Sequence, residues 1–279
     1  MKGVLTTEDL ATASEAERRA AKTLAQGLSE RYEEYLDSRV EPPRRGGVHA
    51  SEVSKCLRRL VYSLHPGPRP SRKISRTWRR KFQLGHAVHD MLQKSFHHWA
   101  RSSGYLVQFL DEVPIEPHLQ KLAGALNINS NTDGVFSLRD PDTLQETVRV
   151  LLEIKSINGT DFKSLTAPYP DHVEQAHVYM ACLRVPYVWM LYWDKATHAY
   201  TPSHHPAFLL EFDPAIWAEL EDRIVKAHAM AEDGVLPDRS EGIHCEFCPW
   251  SGQCDPKFLR RSAEAKPTVL SKGLSKRRL

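Results

Sequence analysis

Apolar residues recur along this chain with two periods, one of three to four residues and one of two, and the changes of period mark the expected elements. From Thr7 to Val40 the chain is rich in Ala, Glu and Arg, with Leu24, Leu28, Tyr32 and Leu36 at four-residue steps, which predicts one amphipathic helix. Pro42-Pro-Arg-Arg-Gly-Gly47 breaks it and serves as a linker. A second helix is expected from Thr77 to Ala100, with Val88, Met91, Leu92, Phe96 and Trp99 as its core stripe. Strands are expected near Leu106, near Val135, from Val148 to Ile157 and from Pro186 to Trp193, with a helix containing Gln175 between the last two. A final helix, Pro214 to Glu232, leads into a cysteine-rich loop. The pattern predicts an N-terminal amphipathic helix and linker over residues 1–47, one α/β domain over 48–259, and a basic, disordered tail over 260–279. There is no internal repeat, Walker loop or helicase motif, so any unwinding motor would be another chain.

Length and composition narrow the class. At 279 residues and 41% hydrophobic, the chain can bury one sizeable core with extensions rather than two full domains. No apolar run approaches the ~20 residues that a membrane helix requires. No signal peptide precedes the domain, and a cytoplasmic protein with reduced thiols is expected. A net charge of +3 does not announce nucleic acid, but its distribution does. Between Val53 and His89 there is no Asp or Glu, while Lys55, Arg58, Arg59, Arg69, Arg72, Lys73, Arg76, Arg79, Arg80 and Lys81 all fall there. Tyr62, Trp78 and Phe82 interleave with them and could stack bases, which predicts a DNA path.

The candidate chemistry lies on the strands. Arg149-Val-Leu-Leu-Glu-Ile-Lys155 reads as a strand, and Glu153 and Lys155, two apart, project from the same face. Asp133-Gly134 heads the short apolar run Val135-Phe136-Ser137-Leu138, and a hairpin would carry Asp133 beside Glu153. Phosphodiester hydrolysis must direct water at a phosphorus shielded by negative oxygens. A divalent cation acidifies that water and neutralises developing charge. Mg²⁺ or Mn²⁺ takes oxygen ligands, so two converging carboxylates beside an ammonium suit the reaction. Glu-x-Lys alone is common. Glu264-Ala-Lys266 and Asp161-Phe-Lys163 share the spacing without a leading apolar strand, and read as solvated tail or loop charges.

The order Asp133, Glu153, Lys155, then Gln175-Ala-His-Val-Tyr179 resembles the PD-(D/E)XK nucleases of the RecB type. The resemblance implies a restriction-endonuclease-like α/β core, a mixed sheet flanked by helices, with metal ligation by Asp133 and Glu153 and the Ile154 carbonyl, and a catalytic Lys155. Gln175 and Tyr179, four apart on one helix face, would hold the strand near the metal. Gly85-His-Ala-Val-His89 resembles the family's early histidine motif, with His89 as the further ligand and His86 the competitor. The family's Gly-x-x-Asp is here Ser130-Asn-Thr-Asp133.

Cys245-x-x-Cys248 and Cys254 place three thiolates on a tight loop, and a tetrahedral site needs a fourth ligand, which Cys56 offers from far upstream. Spacing alone leaves zinc and iron–sulfur open. One distant and three clustered cysteines resemble the iron–sulfur nucleases that include the CRISPR-associated exonuclease Cas-four and the AddB-type subunits. That likeness implies a [4Fe-4S] cluster tying the two ends of the domain together. Cys182, on an apolar helix face, is expected to be a core thiol. The function so implied is 5′→3′ exonuclease action on single-stranded DNA ends in recombination, repair or CRISPR adaptation, with a helicase or another such protein as possible partner. The alternatives are a cluster-stapled DNA-end clamp that no longer cuts, and a zinc-stapled interaction module.

Overall fold

The computed structural model describes residues 15–38, 46–64, 76–104, 106–195, 207–240, 245, 248–250 and 254. The basic tail, Arg69, Arg72, Lys73, Glu264 and Lys266 lie outside them. The chain divides into two units, one of residues 1–44 and 73–86, the other of residues 45–72 and 87–279.

In the smaller unit α1 (Glu15–Ser38) is amphipathic in sequence, yet Leu24, Leu28 and Tyr32 are exposed. The Tyr32 hydroxyl donates to Gln83 Oε1 at 3.4 Å. The side chain of Leu36 lies outside the described residues.

The larger unit begins with α2 (Ala50–Val53) and α3 (Leu57–Leu64) and takes residues 87–102 of α4 (Arg76–Ser102). There follow β1 (Val107–Asp111), β2 (Pro114–Ile115), α5 (Lys121–Leu126), β3 (Ser130–Asn131), β4 (Gly134–Arg139) and β5 (Glu146–Ile157). The chain continues through α6 (Gly159–Ser164), α7 (Pro170–Leu183), β6 (Tyr187–Asp194), β7 (Ala207–Glu211) and α8 (Pro214–Glu232). One sheet has the order β1-β4-β5-β6-β7, and β2 pairs with β3 in a small ribbon. Only the β5/β6 pairing of the large sheet is parallel, because α6 and α7 carry the chain back between those two strands.

Alternation along β5 divides the core. Leu151 packs with Val135, Val188, Met190 and Tyr192 against the buried residues of α2, α3, α5, α7 and α8. Leu152 and Ile154 face the other way, with Phe109, Phe136, Leu191 and Trp193 against Val88, Leu92 and Ala100 of α4. A strand covered on both faces reads as a continuous apolar run, as Val150-Leu-Leu does. Glu153 interrupts that run on the α7 side.

The expected mixed sheet flanked by helices is present, and α8 has its expected bounds because Asp213 caps it by accepting from Ala215 N at 2.8 Å and Pro214 starts it. Two details differ. Met91 and Trp99 are 44% and 50% exposed, so they do not extend the core stripe of α4. Asp161 and Lys163 lie on α6 rather than a loop, because Asn158 caps that helix by accepting from Thr160 N and Asp161 N.

Candidate active site

The β4/β5 hairpin sets Gly134 opposite Leu152, which brings Asp133 alongside Glu153 and Ile154. Gly134 is required by close approach: a Cβ there would lie 2.4 Å from Phe109 Cε2 and 3.1 Å from the Leu110 carbonyl oxygen. Where the family has a glycine three residues before the aspartate, Ser130 has a local task, its Oγ accepting from Ala50 N at 2.8 Å at the head of α2. The segment is thereby tied to the head of α2.

Asp133 is held at three points. Its Oδ2 accepts from Ile154 N at 2.6 Å, its Oδ1 lies 3.1 Å from His89 Nδ1, and its backbone carbonyl accepts from Gln93 Nε2 at 2.8 Å. Burial pulls the His89 imidazole down. The hydrogen bond and charge of Asp133 and the charge of Glu153 outweigh that, against Lys155, and leave its pKa raised. His86, the competitor, is exposed. Ile154 enters the site through its N–H.

Glu153 is 3% exposed. Burial raises its pKa, Asp133 pushes the same way, and Lys155 and His89 pull it back, leaving it at about 7. Lys155 Nζ lies 2.6 Å from Glu153 Oε1 and donates to Gln175 Oε1 at 2.8 Å. Gln175 Nε2 in turn donates to the Tyr179 hydroxyl at 2.7 Å. The i, i+4 pair on α7 thus does share one face, and Tyr179, 5% exposed, touches the site through Gln175. Burial first, and then the charges of Glu153 and Asp133, hold its hydroxyl well above the ordinary tyrosine range, against the Gln175 hydrogen bond.

Sequence reasoning missed two members of this network. Gln93 is buried one helical turn after His89, and its amide also donates to Glu112 Oε1 at 3.1 Å. The i, i+4 spacing from His89 was the available signal. Glu112 sits in left-handed backbone with φ of 45°, a conformation that occurs more often at functional sites than elsewhere.

The basic stretch is not one solvent-facing track. Lys55 pairs with Asp171, Arg58 is 5% exposed, and Arg59 pairs with Glu52 at 3.3 Å. Tyr62 stacks on Trp250 with ring centroids 5.2 Å apart. In the smaller unit, Trp78 lies under Lys81 Nζ at 4.4 Å and beside Phe82.

Cys56, Cys245, Cys248 and Cys254 are free thiols. Burial pushes Cys248 up, and Cys56 and Cys254 push the same way, against the Trp250 backbone N–H and the Arg59 charge. Burial likewise raises Cys254, with Cys56 and Cys245 adding and Arg58 and Arg239 opposing. Among the described residues no three His, Cys, Asp or Glu side chains are set at metal-binding geometry. The donor sets fit the two groups chemically: carboxylates and an imidazole for a hard divalent cation, four thiols for a soft cluster. Cys182 is a core thiol as expected, pushed by burial to about 12.

No family model matches the chain, and no curated protein does. Among solved structures it is similar to LHK-Exo, an alkaline exonuclease from Laribacter hongkongensis, with 16% identity over 84% of this chain and 98% of that one and a TM-score of 0.46. The complex of LHK-Exo with dAMP gives 16% identity over 79% and 94% of the two chains, with a TM-score of 0.47. No described helix is long and apolar enough to cross a membrane.

Proposed function

We propose that this protein is a metal-dependent DNA exonuclease on a PD-(D/E)XK core stapled by a [4Fe-4S] cluster. The observation that carries the reading is the connected set His89, Asp133, Glu153, Lys155, Gln175 and Tyr179, drawn from α4, the head of β4, β5 and α7 into one site joined through the Ile154 N–H. Asp133, Glu153 and His89, with the Ile154 carbonyl, would hold Mg²⁺ or Mn²⁺. The cation, when bound, lowers the pKa of water and neutralises charge developing on the phosphate.

The chain's own residues do the rest. The Ile154 N–H and His89 fix the Asp133 carboxylate in direction. Lys155, within hydrogen-bond reach of Glu153, is placed to orient the attacking water and to stabilise the negative charge of the transition state. Gln175 limits where the ammonium can go, and Tyr179 limits Gln175. Burial of Gln175 and Tyr179 favours this positioning role over direct contact with the nucleic acid strand.

Cys56, Cys245, Cys248 and Cys254 would hold the cluster, joining the start of the domain to its end. Family resemblance favours 5′→3′ action on single-stranded ends, in a cytoplasmic pathway of recombination, repair or CRISPR adaptation alongside a helicase or another protein of that pathway. Single- and double-stranded DNA labelled at either the 5′ or the 3′ end, incubated with Mn²⁺ or EDTA, tests the reading. Metal-dependent release of 5′ label as short products, before 3′ label, is expected. Release of 3′ label first would reverse the polarity, and internal cuts in circular DNA would make the enzyme an endonuclease.

A further inference from the structure

Two arginines follow Cys56 and take no part in the hydrolytic site. Arg58 is 5% exposed, and its Nη1 donates to the Pro237 carbonyl at 2.9 Å. Its Nε and Nη2 are buried and have no hydrogen-bond partner among the described residues. Arg59 donates through Nη2 to Glu52 Oε1 at 3.3 Å, and Glu52, itself buried, also accepts from Ser63 Oγ at 3.0 Å. Arg59 Nε is likewise buried without a partner. Each guanidinium is therefore anchored at one corner and left with unused donors.

That arrangement is unfavourable as it stands. A guanidinium stays charged at any accessible pH, and burying its N–H groups without acceptors forfeits their hydration. Such donors are found where an anionic group completes them. DNA phosphates do not fit, because a groove that tracks a backbone presents its cations to solvent and Arg58 is buried. The protein carboxylate nearest in the network, Glu52, is already engaged with Arg59 and Ser63.

Both arginines follow Cys56 within three residues, and their charges reach two further cysteines. The charge of Arg58 acts on Cys254 and that of Arg59 on Cys248. The Arg58 guanidinium lies 6.0 Å from the centroid of the Tyr62 ring, Tyr62 stacks on Trp250, and the Trp250 carbonyl accepts from Cys254 N at 2.9 Å. These contacts tie Arg58 to the segment that carries Cys254, and Arg59 N donates to the Cys56 carbonyl oxygen at 3.0 Å. A four-iron cluster on four thiolates is an anion, and one added electron makes it more so. Hydrogen bonds to its sulfurs and nearby positive charge stabilise the reduced form more than the oxidised one.

We propose that Arg58 and Arg59 donate N–H···S hydrogen bonds to an iron–sulfur cluster held by Cys56, Cys245, Cys248 and Cys254, and thereby raise its reduction potential. This rests on the cluster reading above, and the test separates the two. Full-length protein purified without oxygen, with Arg58→Met and Arg58→Lys beside it, is assayed first for iron and acid-labile sulfide and then titrated with dithionite under electron paramagnetic resonance.

The cluster reading requires iron and sulfide in the unsubstituted protein; their absence overturns that reading and this proposal together. The arginine role requires a loaded Arg58→Met protein to have a more negative midpoint potential, with Arg58→Lys between the two. A loaded Arg58→Met protein with an unchanged or higher potential overturns the arginine role and leaves the cluster standing. Should Arg58→Met fail to load, the unsubstituted protein labelled with ¹⁵N-arginine answers instead. Its reduced cluster should show hyperfine coupling to arginine nitrogen by pulsed resonance, and a lack of that coupling overturns the proposal.

Discussion

The Asp133 carboxylate accepts a hydrogen bond from the backbone N–H of Ile154 at 2.6 Å. A side chain at the head of one strand is thereby oriented by the backbone of the next, independently of any rotamer choice in the neighbouring strand. The other oxygen is left to His89. Asp133→Asn keeps an acceptor for Ile154 but removes the charge. Metal-dependent cleavage is expected to fall by about a hundredfold or more, with a nearly unchanged melting temperature, as read from rates and a thermal scan on the same preparation.

Tyr179→Phe removes the acceptor of Gln175 Nε2 in a buried place. An amide donor so stranded costs about 1–3 kcal/mol, which urea unfolding should register. Gln175 then loses its brace, and Lys155 its fixed partner. The fall in activity should appear in kcat more than in KM, because the substrate still binds while the ammonium wanders. A loss confined to KM would place Tyr179 on the nucleic acid instead.

Gly134→Ala forces a Cβ against the Phe109 ring, which packs in turn on Phe96 and Phe136 with centroids 5.7 and 4.6 Å away. Phe109 cannot retreat without disturbing both. Destabilisation of about 1–3 kcal/mol is expected, measured as a lower urea midpoint with an unchanged slope.

His172 and Glu153 pull the pH dependence of stability in opposite directions, and His172 can be isolated by substitution. Its Nδ1 lies 2.8 Å from the Tyr192 hydroxyl, which also accepts from Tyr169 N. Burial first, and then the charges of Lys155 and Lys55, depress its pKa to about 3, with Asp171 opposing. The unfolded chain takes up this proton near the ordinary value of 6.5, and the folded chain only near 3. Stability from this group is therefore complete above pH 6.5 and is lost as the pH falls from 6.5 towards 3, at up to about 1.4 kcal/mol per pH unit. Relative to His172→Gln, the unsubstituted protein should lose stability as the pH falls from 7 to 5, and the difference between the unfolding midpoints of the two proteins over that range checks it.

Much of this was legible in the chain, for reasons that particular residues show. Glu153 and Lys155 stood out because charges inside an apolar strand are rare, and a period of two fixes their common face. Pro214 after Asp213 marks a helix start whatever lies around it. Helix α3 was hidden because Arg58 and Arg59 drew attention to charge, although Leu57, Leu60, Val61 and Leu64 carry the helical period. The same charges read as one solvent-facing run, since composition cannot tell a solvated arginine from one anchored on Pro237 or Glu52. Gly124 looks like a helix breaker within α5, and only the fold shows the Pro117 carbonyl oxygen 2.6 Å from where its Cβ would be. Gln93 carries no charge and no motif, so its part in holding Asp133 could emerge only from three dimensions.

Whether Glu153 and its neighbours make a hydrolytic site is decided by cleavage of end-labelled DNA by anaerobically purified protein in Mn²⁺, with Glu153→Ala prepared in parallel. Progressive shortening by the unsubstituted protein, abolished by EDTA and by Glu153→Ala, is expected. Protein loaded with cluster that binds DNA ends and never shortens them, in Mn²⁺ or Mg²⁺, would contradict that expectation and make the fold a clamp.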